Sequence, residues 1–185
     1  YRDLAWSDGL DLDGSPLDIA YTQRITDYHA FSEELQLSGK AFDNRLDYVI
    51  GAFYFKEKAE TLGPQRFFGL FGPFGSYFQS DYGSHTEAFA LYSQLDYHLT
   101  DQFTLTLGGR YTHERKDIRR FFASGSPLTT VVNLPYGGVP DATYNNFSPA
   151  VTLAYAVNDD VNLYARFARG FKSGGFNGET NVFFD

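Results

Sequence analysis

The sequence predicts an all-β fold, an antiparallel meander of about seven strands. Apolar and polar residues alternate with a period of two in several stretches, which is typical of strands with one apolar face. The connections between these stretches are alternately long and short, as in successive hairpins. No helical period of useful length lies between the stretches, so an α/β sheet is not indicated.

The composition favours a single domain whose strands are apolar on one face only. The 185 residues include 19 Phe, 14 Tyr and 18 Gly, and the mean hydropathy is nevertheless negative. The net charge of -8 argues against nucleic acid as a partner, because phosphate binding needs a basic face. The absence of Cys excludes thiol catalysis and Cys-based zinc sites. With no Met and a start in mid-pattern, we expect a piece of a longer chain.

In the first half of the chain the pattern predicts three strands. In order, the elements are a strand at 1–7, a polar loop at 8–30, a strand at 31–40, a tight turn at 42–45, a strand at 46–58 and a long loop at 60–84. The loops are assigned from their Gly, Pro and polar residues.

In the second half the pattern predicts four strands. In order, they are a strand at 86–99, a turn at 100–102, the clearest alternation at 103–115, a long loop at 118–145, a strand at 147–157, a turn at 158–160 and a strand from 161 that ends in a glycine-rich tail. Each strand has a face of Phe, Leu, Val and Tyr and a face of Thr, Ser, Ala, Gln and charged residues. Ser93 is an exception on the apolar side.

Periodicity does not decide which solvent each face meets. In a soluble sandwich or barrel the apolar face points to a core, whereas in a membrane barrel it points to lipid. The strand lengths, the one-sided long loops and the small residues of the polar face favour the membrane barrel. A soluble β-barrel or sandwich that binds a small apolar ligand is the alternative, and a complete small outer-membrane barrel with enzymatic or adhesive activity is a third interpretation.

Four stretches carry a resemblance to known sequences: 31–37 (FSEELQL), 50–55 (IGAFYF), 90–111 (ALYSQLDYHLTDQFTLTLGGRY) and 147–177 (FSPAVTLAYAVNDDVNLYARFARGFKSGGFN). They resemble the barrel of TonB-dependent outer-membrane receptors, the bacterial transporters of ferric siderophores, cobalamin and some glycans. The most specific part, YARFARGFKSGGFN, is similar to a recurrent segment of the siderophore-type branch. The resemblance covers most of the chain except the long loops.

This resemblance implies a barrel of about 22 strands in the bacterial outer membrane, around an N-terminal plug domain. Residues 1–185 would be a partial barrel domain, without the plug and the remaining strands. The implied function is TonB-energised uptake of a scarce nutrient, above all a ferric siderophore, with no cofactor. The implied partners are outer-membrane lipid, the TonB complex acting through the plug, and the small-molecule substrate.

The candidate ligand-binding residues are the aromatics of the second long loop: Phe67, Phe68, Phe71, Phe74, Tyr77, Phe78 and Tyr82. A surface with so many rings suits an apolar or aromatic ligand such as a siderophore. Alternatively, the loop folds on itself over the mouth of the barrel.

A second set of candidates should line the lumen, because its members lie on the polar side of predicted strands: Gln94, Asp96, Arg110, Tyr164 and Arg166. The arginines could pair with acidic residues of the plug, but we favour an ion pair within the wall, with Asp96 or Glu114. Leu163, Ala165 and Phe167 should face lipid, and the glycine tail should lead towards the cell surface.

Other chemistry has little support in the sequence. The four histidines have no metal-ligand spacing, so we interpret them as structural or solvated. The KSGG segment at 172–175 lacks the spacing of a phosphate loop. No Ser/His/Asp set surrounds a nucleophile elbow, so catalysis is not indicated.

Overall fold

The computed structural model describes residues 1–69, 75–125, 128–132 and 141–178, and the nine β-strands in these residues form one antiparallel sheet. They are β1 (Arg2–Asp11), β2 (Ala20–Ala41), β3 (Leu46–Leu62), β4 (Pro64–Phe67), β5 (Ser76–His98), β6 (Phe103–Gly125), β7 (Leu128–Val132), β8 (Asp141–Asn158) and β9 (Val161–Ala168). No helix in this part of the chain is long and apolar enough to cross a membrane.

Seven strands follow one another across the sheet in the order β1-β2-β3-β5-β6-β8-β9. This is the predicted meander, and the predicted number of main strands is confirmed. The two short strands extend it: β4 pairs with β2 and β5, in line with β3, and β7 pairs with β6.

Gly63 joins β3 to β4 without interrupting the pairing with β5. Its carbonyl oxygen accepts a hydrogen bond from the Ser80 amide at 3.0 Å, and its amide donates to Asp81 Oδ1 at 3.0 Å. A Cβ at this position would lie 2.5 Å from the Ser80 carbonyl oxygen. Since no side chain tolerates that approach, glycine allows the two strands to stay paired through the bend.

The strands are longer than predicted, and the three predicted long loops at 8–30, 60–84 and 118–145 are largely wrong. β5 and β6 have 23 residues each, and β2 has 22. Their added segments pair in register, for example Tyr82 with Arg120. The alternation of apolar and polar residues fades there because both faces carry polar and charged residues, so these segments resemble loops in the sequence.

The three predicted tight turns are confirmed and lie at one end of the sheet, the short-turn end. At the first, Phe42, Asp43 and Asn44 have positive φ angles of 53°, 55° and 66°, and the Arg45 amide donates to the Phe42 carbonyl at 3.1 Å. Side chains close the other two. Thr100 Oγ1 accepts from the Phe103 amide at 3.0 Å, and Asn158 Oδ1 accepts from the Asp160 amide at 3.0 Å.

The register gives the sheet a polar face and an apolar face. One row across the sheet is Gly51, Tyr92, Arg110 and Ser148. The polar face therefore carries the even-numbered residues of β2, β5, β6, β8 and β9 and the odd-numbered residues of β3. The apolar face carries the alternate set.

On the apolar face, hydrophobic residues form a belt that starts at the short-turn end. Each of five strands closes the belt with an aromatic residue, after which the next residue on that face is polar. On β2 the belt is interrupted by Glu33, which lies on this face between Leu35 and the closing Phe31. The closing aromatics are Phe31, Tyr54, Phe89, Tyr111 and Phe147, and the polar residues beyond them are His29, Lys56, Glu87, His113 and Asn145. An apolar band with an aromatic girdle is the lipid-facing surface of outer-membrane barrels. The strands then continue beyond the girdle to the long-loop end.

Candidate functional site

Three aromatic rings meet on the polar face near the long-loop end. The Phe67 and Phe78 centroids are 5.7 Å apart at an interplanar angle of 74°, and the Phe78 and Phe122 centroids are 6.3 Å apart. Phe122 is only 8% exposed, and Ile118, on the same face of β6, is 4% exposed. Tyr82 lies on the same face of β5 as Phe78, four residues further along the strand. We call these three rings together with Tyr82 the aromatic cluster.

The structure divides the predicted aromatic ligand site. Phe67, Phe78 and Tyr82 lie on the polar face, whereas Tyr77 lies on the opposite face, paired with Arg66 of β4. Phe68 follows β4 with a positive φ of 55°. Phe71 and Phe74 lie outside the described residues.

The sequence does not single out Phe122 as a site residue, because it lies within the predicted loop 118–145. The even-numbered Ile118 and Phe122 continue the polar-face positions of β6, so the period of two could have extended that strand. The two consecutive charged residues Arg119 and Arg120 interrupt the alternation, so the pattern does not indicate a strand at this point.

Below the cluster, two rings and two charged side chains form the centre of the polar face. The Tyr92 hydroxyl donates a hydrogen bond to Glu34 Oε1. The Tyr92 ring lies against Gly51, where a Cβ would come within 2.2 Å of Tyr92 Cζ. Arg110 Cζ lies 5.5 Å from the Phe53 ring centroid and 5.9 Å from the Tyr92 centroid, within cation–π range of both.

The predicted ion pair of Arg110 with Asp96 or Glu114 is wrong, because both carboxylates have other partners. Asp96 accepts hydrogen bonds from Thr106 Oγ1 at 2.5 Å and from Gln94 Nε2 at 2.9 Å. Glu114 pairs with Lys116 at 3.0 Å. Arg110 instead donates to Thr112 Oγ1 at 3.3 Å and lies over the two rings.

All five predicted lumen residues share the polar face. Gln94, Asp96 and Arg110 lie on β5 and β6, and Tyr164 and Arg166 lie on β9. Both β9 residues are exposed. That this face lines a lumen remains a prediction.

The glycine tail, residues 169–178, leaves the sheet after β9 and crosses the polar face. Lys116 Nζ donates to Ser173 Oγ at 2.8 Å and to the Gly174 carbonyl at 3.0 Å, and Ser173 Oγ donates to Glu114 Oε1 at 3.1 Å. A Cβ on Gly174 would lie 2.5 Å from the Tyr144 hydroxyl, so the tail passes close to β8. The tail thus runs towards the long-loop end across the strands, where the sequence predicted a direct exit to the surface.

The end of the tail reaches the aromatic cluster. A Cβ on Gly178 would lie 2.5 Å from Tyr82 Cδ2. Ser173 of the KSGG segment is used in the contact with β6, so this segment has a structural role.

The histidines have ordinary side-chain partners. His29 pairs with Asp3, His85 with Asp117 at 3.0 Å, His98 with Asp47 at 2.9 Å, and His113 with Asn145 at 2.7 Å. Within the described residues, no three His, Cys, Asp or Glu side chains are grouped so that they could hold a metal ion.

Comparison with known proteins identifies the family. The family model described as TonB dependent receptor-like, beta-barrel, matches residues 1–183. The pesticin receptors of Yersinia enterocolitica and Yersinia pestis are 31% identical to the chain over 91 residues, which is 49% of this chain and 12% of each receptor.

Two solved structures share the fold. The ferric yersiniabactin uptake receptor FyuA of Yersinia pestis superposes with a TM-score of 0.66 at 17% identity, over 82% of this chain and 22% of that one. The ferric citrate transporter FecA in its unliganded form gives a TM-score of 0.51 at 18% identity, over 88% of this chain and 22% of that one. The matched residues thus cover about an eighth of the length of these curated relatives, and about a fifth of the two solved chains.

Proposed function

Because this chain belongs to the TonB-dependent receptor β-barrel family, we propose that it forms part of the wall and outer vestibule of a receptor that takes up a ferric siderophore. Proteins of this family lie in the bacterial outer membrane, and so does this one. A soluble sandwich is therefore excluded. The proposed domain assignment is a partial barrel over residues 1–185, completed by other strands and a plug.

The apolar belt indicates how this wall is oriented in the membrane. The belt meets lipid, so the polar face meets the lumen, and the short turns lie on the periplasmic side. The long-loop end then projects from the cell surface, and the aromatic cluster faces the vestibule through which a substrate enters.

The observation that carries the substrate class is the aromatic cluster on the polar face. Rings at a vestibule offer apolar and stacking contacts to the planar groups of a siderophore. The names of the relatives point the same way, since FyuA is an uptake receptor for ferric yersiniabactin and FecA transports ferric citrate. The barrel itself binds and selects. Energy would come from the TonB complex, which acts through the plug.

Adjacent residues of β5 test this proposal. We expect Phe78→Ala in the full-length receptor to weaken ferric siderophore binding about tenfold, because it removes the central ring of the cluster. Tyr77→Ala is the matched control, since Tyr77 points to the other face, and it should leave the Kd unchanged. Binding is measured by quenching of intrinsic fluorescence with a panel of ferric siderophores. Equal effects of the two variants would contradict the proposal.

A further inference from the structure

The apolar face beyond the aromatic girdle carries paired charges. Lys58 Nζ lies 2.6 Å from Glu60 Oε1, and Arg115 Nη2 lies 3.3 Å from Asp141 Oδ2. This surface is continuous with the belt and has the same outward direction. In an outer membrane it meets the sugar and phosphate headgroups of lipopolysaccharide, the glycolipid of the outer leaflet.

This charged surface contains a trough of about 270 Å³ over Gly83. A Cβ on Gly83 would meet no atom closer than 3.8 Å, an ordinary van der Waals distance, so a side chain at this position could enter the trough without a clash. Lys58 and Glu60 of β3 form one wall, and Asp117 and Arg119 of β6 form the other. The trough is smaller than the pockets of drug-sized ligands, which start at about 300 Å³, and suits a single sugar unit.

The chemistry of the trough matches a sugar better than a bare phosphate. Lys58 and Arg119 can donate hydrogen bonds to sugar hydroxyls, and Glu60 and Asp117 can accept hydrogen bonds from them. Arg119 has no hydrogen bond or ion pair within the described residues, and so its donors are available.

Apolar walls complete the trough. Leu62 is 47% exposed although it lies beyond the belt, and Phe121 lies on the same side. Such walls suit the C–H face of a sugar ring.

A second depression lies within the belt on the same face of β5. Ser93 pairs with Gly109, and the Phe147 ring packs on Gly109, where a Cβ would lie 3.1 Å from that ring. The short side chain of Ser93 then leaves a dent of about 470 Å³ between Leu91, Leu107 and Phe147. Its apolar walls suit an acyl chain. Ser93 and Gly83 are ten residues apart on β5, roughly 33 Å along the strand. With the usual tilt this is about 25 Å along the membrane normal, a distance that joins the acyl region to the inner sugars of a glycolipid.

We propose that the apolar face of β3, β5 and β6 binds one lipopolysaccharide molecule, with an acyl chain in the dent at Ser93 and Gly109 and a headgroup sugar in the trough over Gly83. The proposal depends on the outer-membrane location and not on the transported substrate. Binding and uptake of siderophore can therefore fail or succeed independently of it.

The test uses the full-length receptor, purified in mild detergent and mixed with either deep-rough lipopolysaccharide or lipid A without core sugars. Native mass spectrometry counts the bound molecules. We expect Gly83→Trp to fill the trough and lower retention of deep-rough lipopolysaccharide by about fivefold, to the level of lipid A. Gly83→Ala leaves most of the trough open and should retain it like the wild type. Heat-modifiable migration on a gel verifies that each variant is folded.

A second variant keeps the test decisive if Gly83→Trp does not fold. Ser93→Leu fills the dent with a side chain suited to the belt, and should lower the retention of both glycolipids. Equal retention by wild type, Gly83→Trp and Ser93→Leu would overturn the proposal. Displacement by millimolar inorganic phosphate as complete as that by free core oligosaccharide would also overturn it, because the site would then recognise charge alone.

Discussion

At the scale of single residues, the position of a side chain within its strand decides which surroundings it meets. Tyr77 and Phe78 are neighbours in the sequence, yet they lie on opposite faces of β5. Both were predicted to lie in one loop, where no face is defined, and therefore in one ligand site. Arg110 shows the converse. Its face was predicted correctly, but its aromatic partner Phe53 was not, because Phe53 lies on β3, which is distant from β6 in the sequence.

Asp13, in the connection between β1 and β2, provides a pH prediction. Hydrogen bonds from the Ser15 hydroxyl and from the Ala20 amide, at 2.8 Å, lower its pKa to about 2 from the ordinary value of 3.8. The ionised carboxylate therefore stabilises this connection above the ordinary pKa, and the stabilisation is lost as the pH falls towards about 2.

We expect pepsin to cleave the full-length receptor at Leu12 or Leu17, both exposed, increasingly as the pH falls from 4 to 2. Rates are normalised with a reference peptide. Asp13→Asn lacks the ionisable group and should be cleaved readily at pH 4. Identical pH profiles for the variant and the wild type would show that Asp13 does not hold the connection.

At the scale of elements, the alternating pattern was sufficient to find the seven main strands and the three tight turns. The pattern did not indicate the strand segments beyond the girdle, because neither face of the sheet meets hydrocarbon there. Neither face therefore has to be apolar, and the period of two is lost. The pairing of β5 with β6 through Tyr82 and Arg120 depends on backbone hydrogen bonds that any sequence can supply. The path of the glycine tail was also hidden, because it depends on contacts with Lys116 and Glu114, far away in the sequence.

The contact of Lys116 with the tail gives a prediction at this scale. Lys116→Met in the full-length receptor removes both hydrogen bonds to Ser173 and Gly174, and so should raise amide hydrogen exchange in residues 172–178 by about tenfold. Lys172→Met is the matched control, because Lys172 has no hydrogen bond or ion pair within the described part of the chain. Unchanged exchange in the first variant would mean that other contacts hold the tail.

At the scale of the whole molecule, the belt and girdle organise the sheet. The five aromatic closing residues come from five strands, and they fall at one boundary only once the register is known. The sequence could predict each strand's apolar face, but the common boundary, the added strand length and the aromatic cluster follow from pairing between strands. The family resemblance supplied the orientation that the period of two left open.

The belt predicts that the cost of a charge depends on depth. Leu107→Arg, in the middle of the belt on β6, should reduce the free energy of unfolding of the full-length receptor in lipid by about 2 to 4 kcal/mol. His113→Arg lies on the same face just beyond the girdle, and should cost about 0 to 1 kcal/mol. Denaturant titration in lipid vesicles measures both. Equal costs would show that Leu107 does not face hydrocarbon.

The most direct test of the central claim, that the two faces of this sheet meet lipid and lumen, is a nitroxide scan of residues 103–119 in the full-length receptor in lipid. Labels at odd-numbered positions from 103 to 111 should collide with oxygen and be shielded from a nickel chelate, as lipid-facing sites are, while labels at even-numbered positions should show the reverse. From 113 onwards the odd-numbered positions should become accessible to the nickel chelate, because they lie beyond the girdle. Odd-numbered positions from 103 to 111 that are shielded from both reagents would instead indicate a protein core, and would contradict the account.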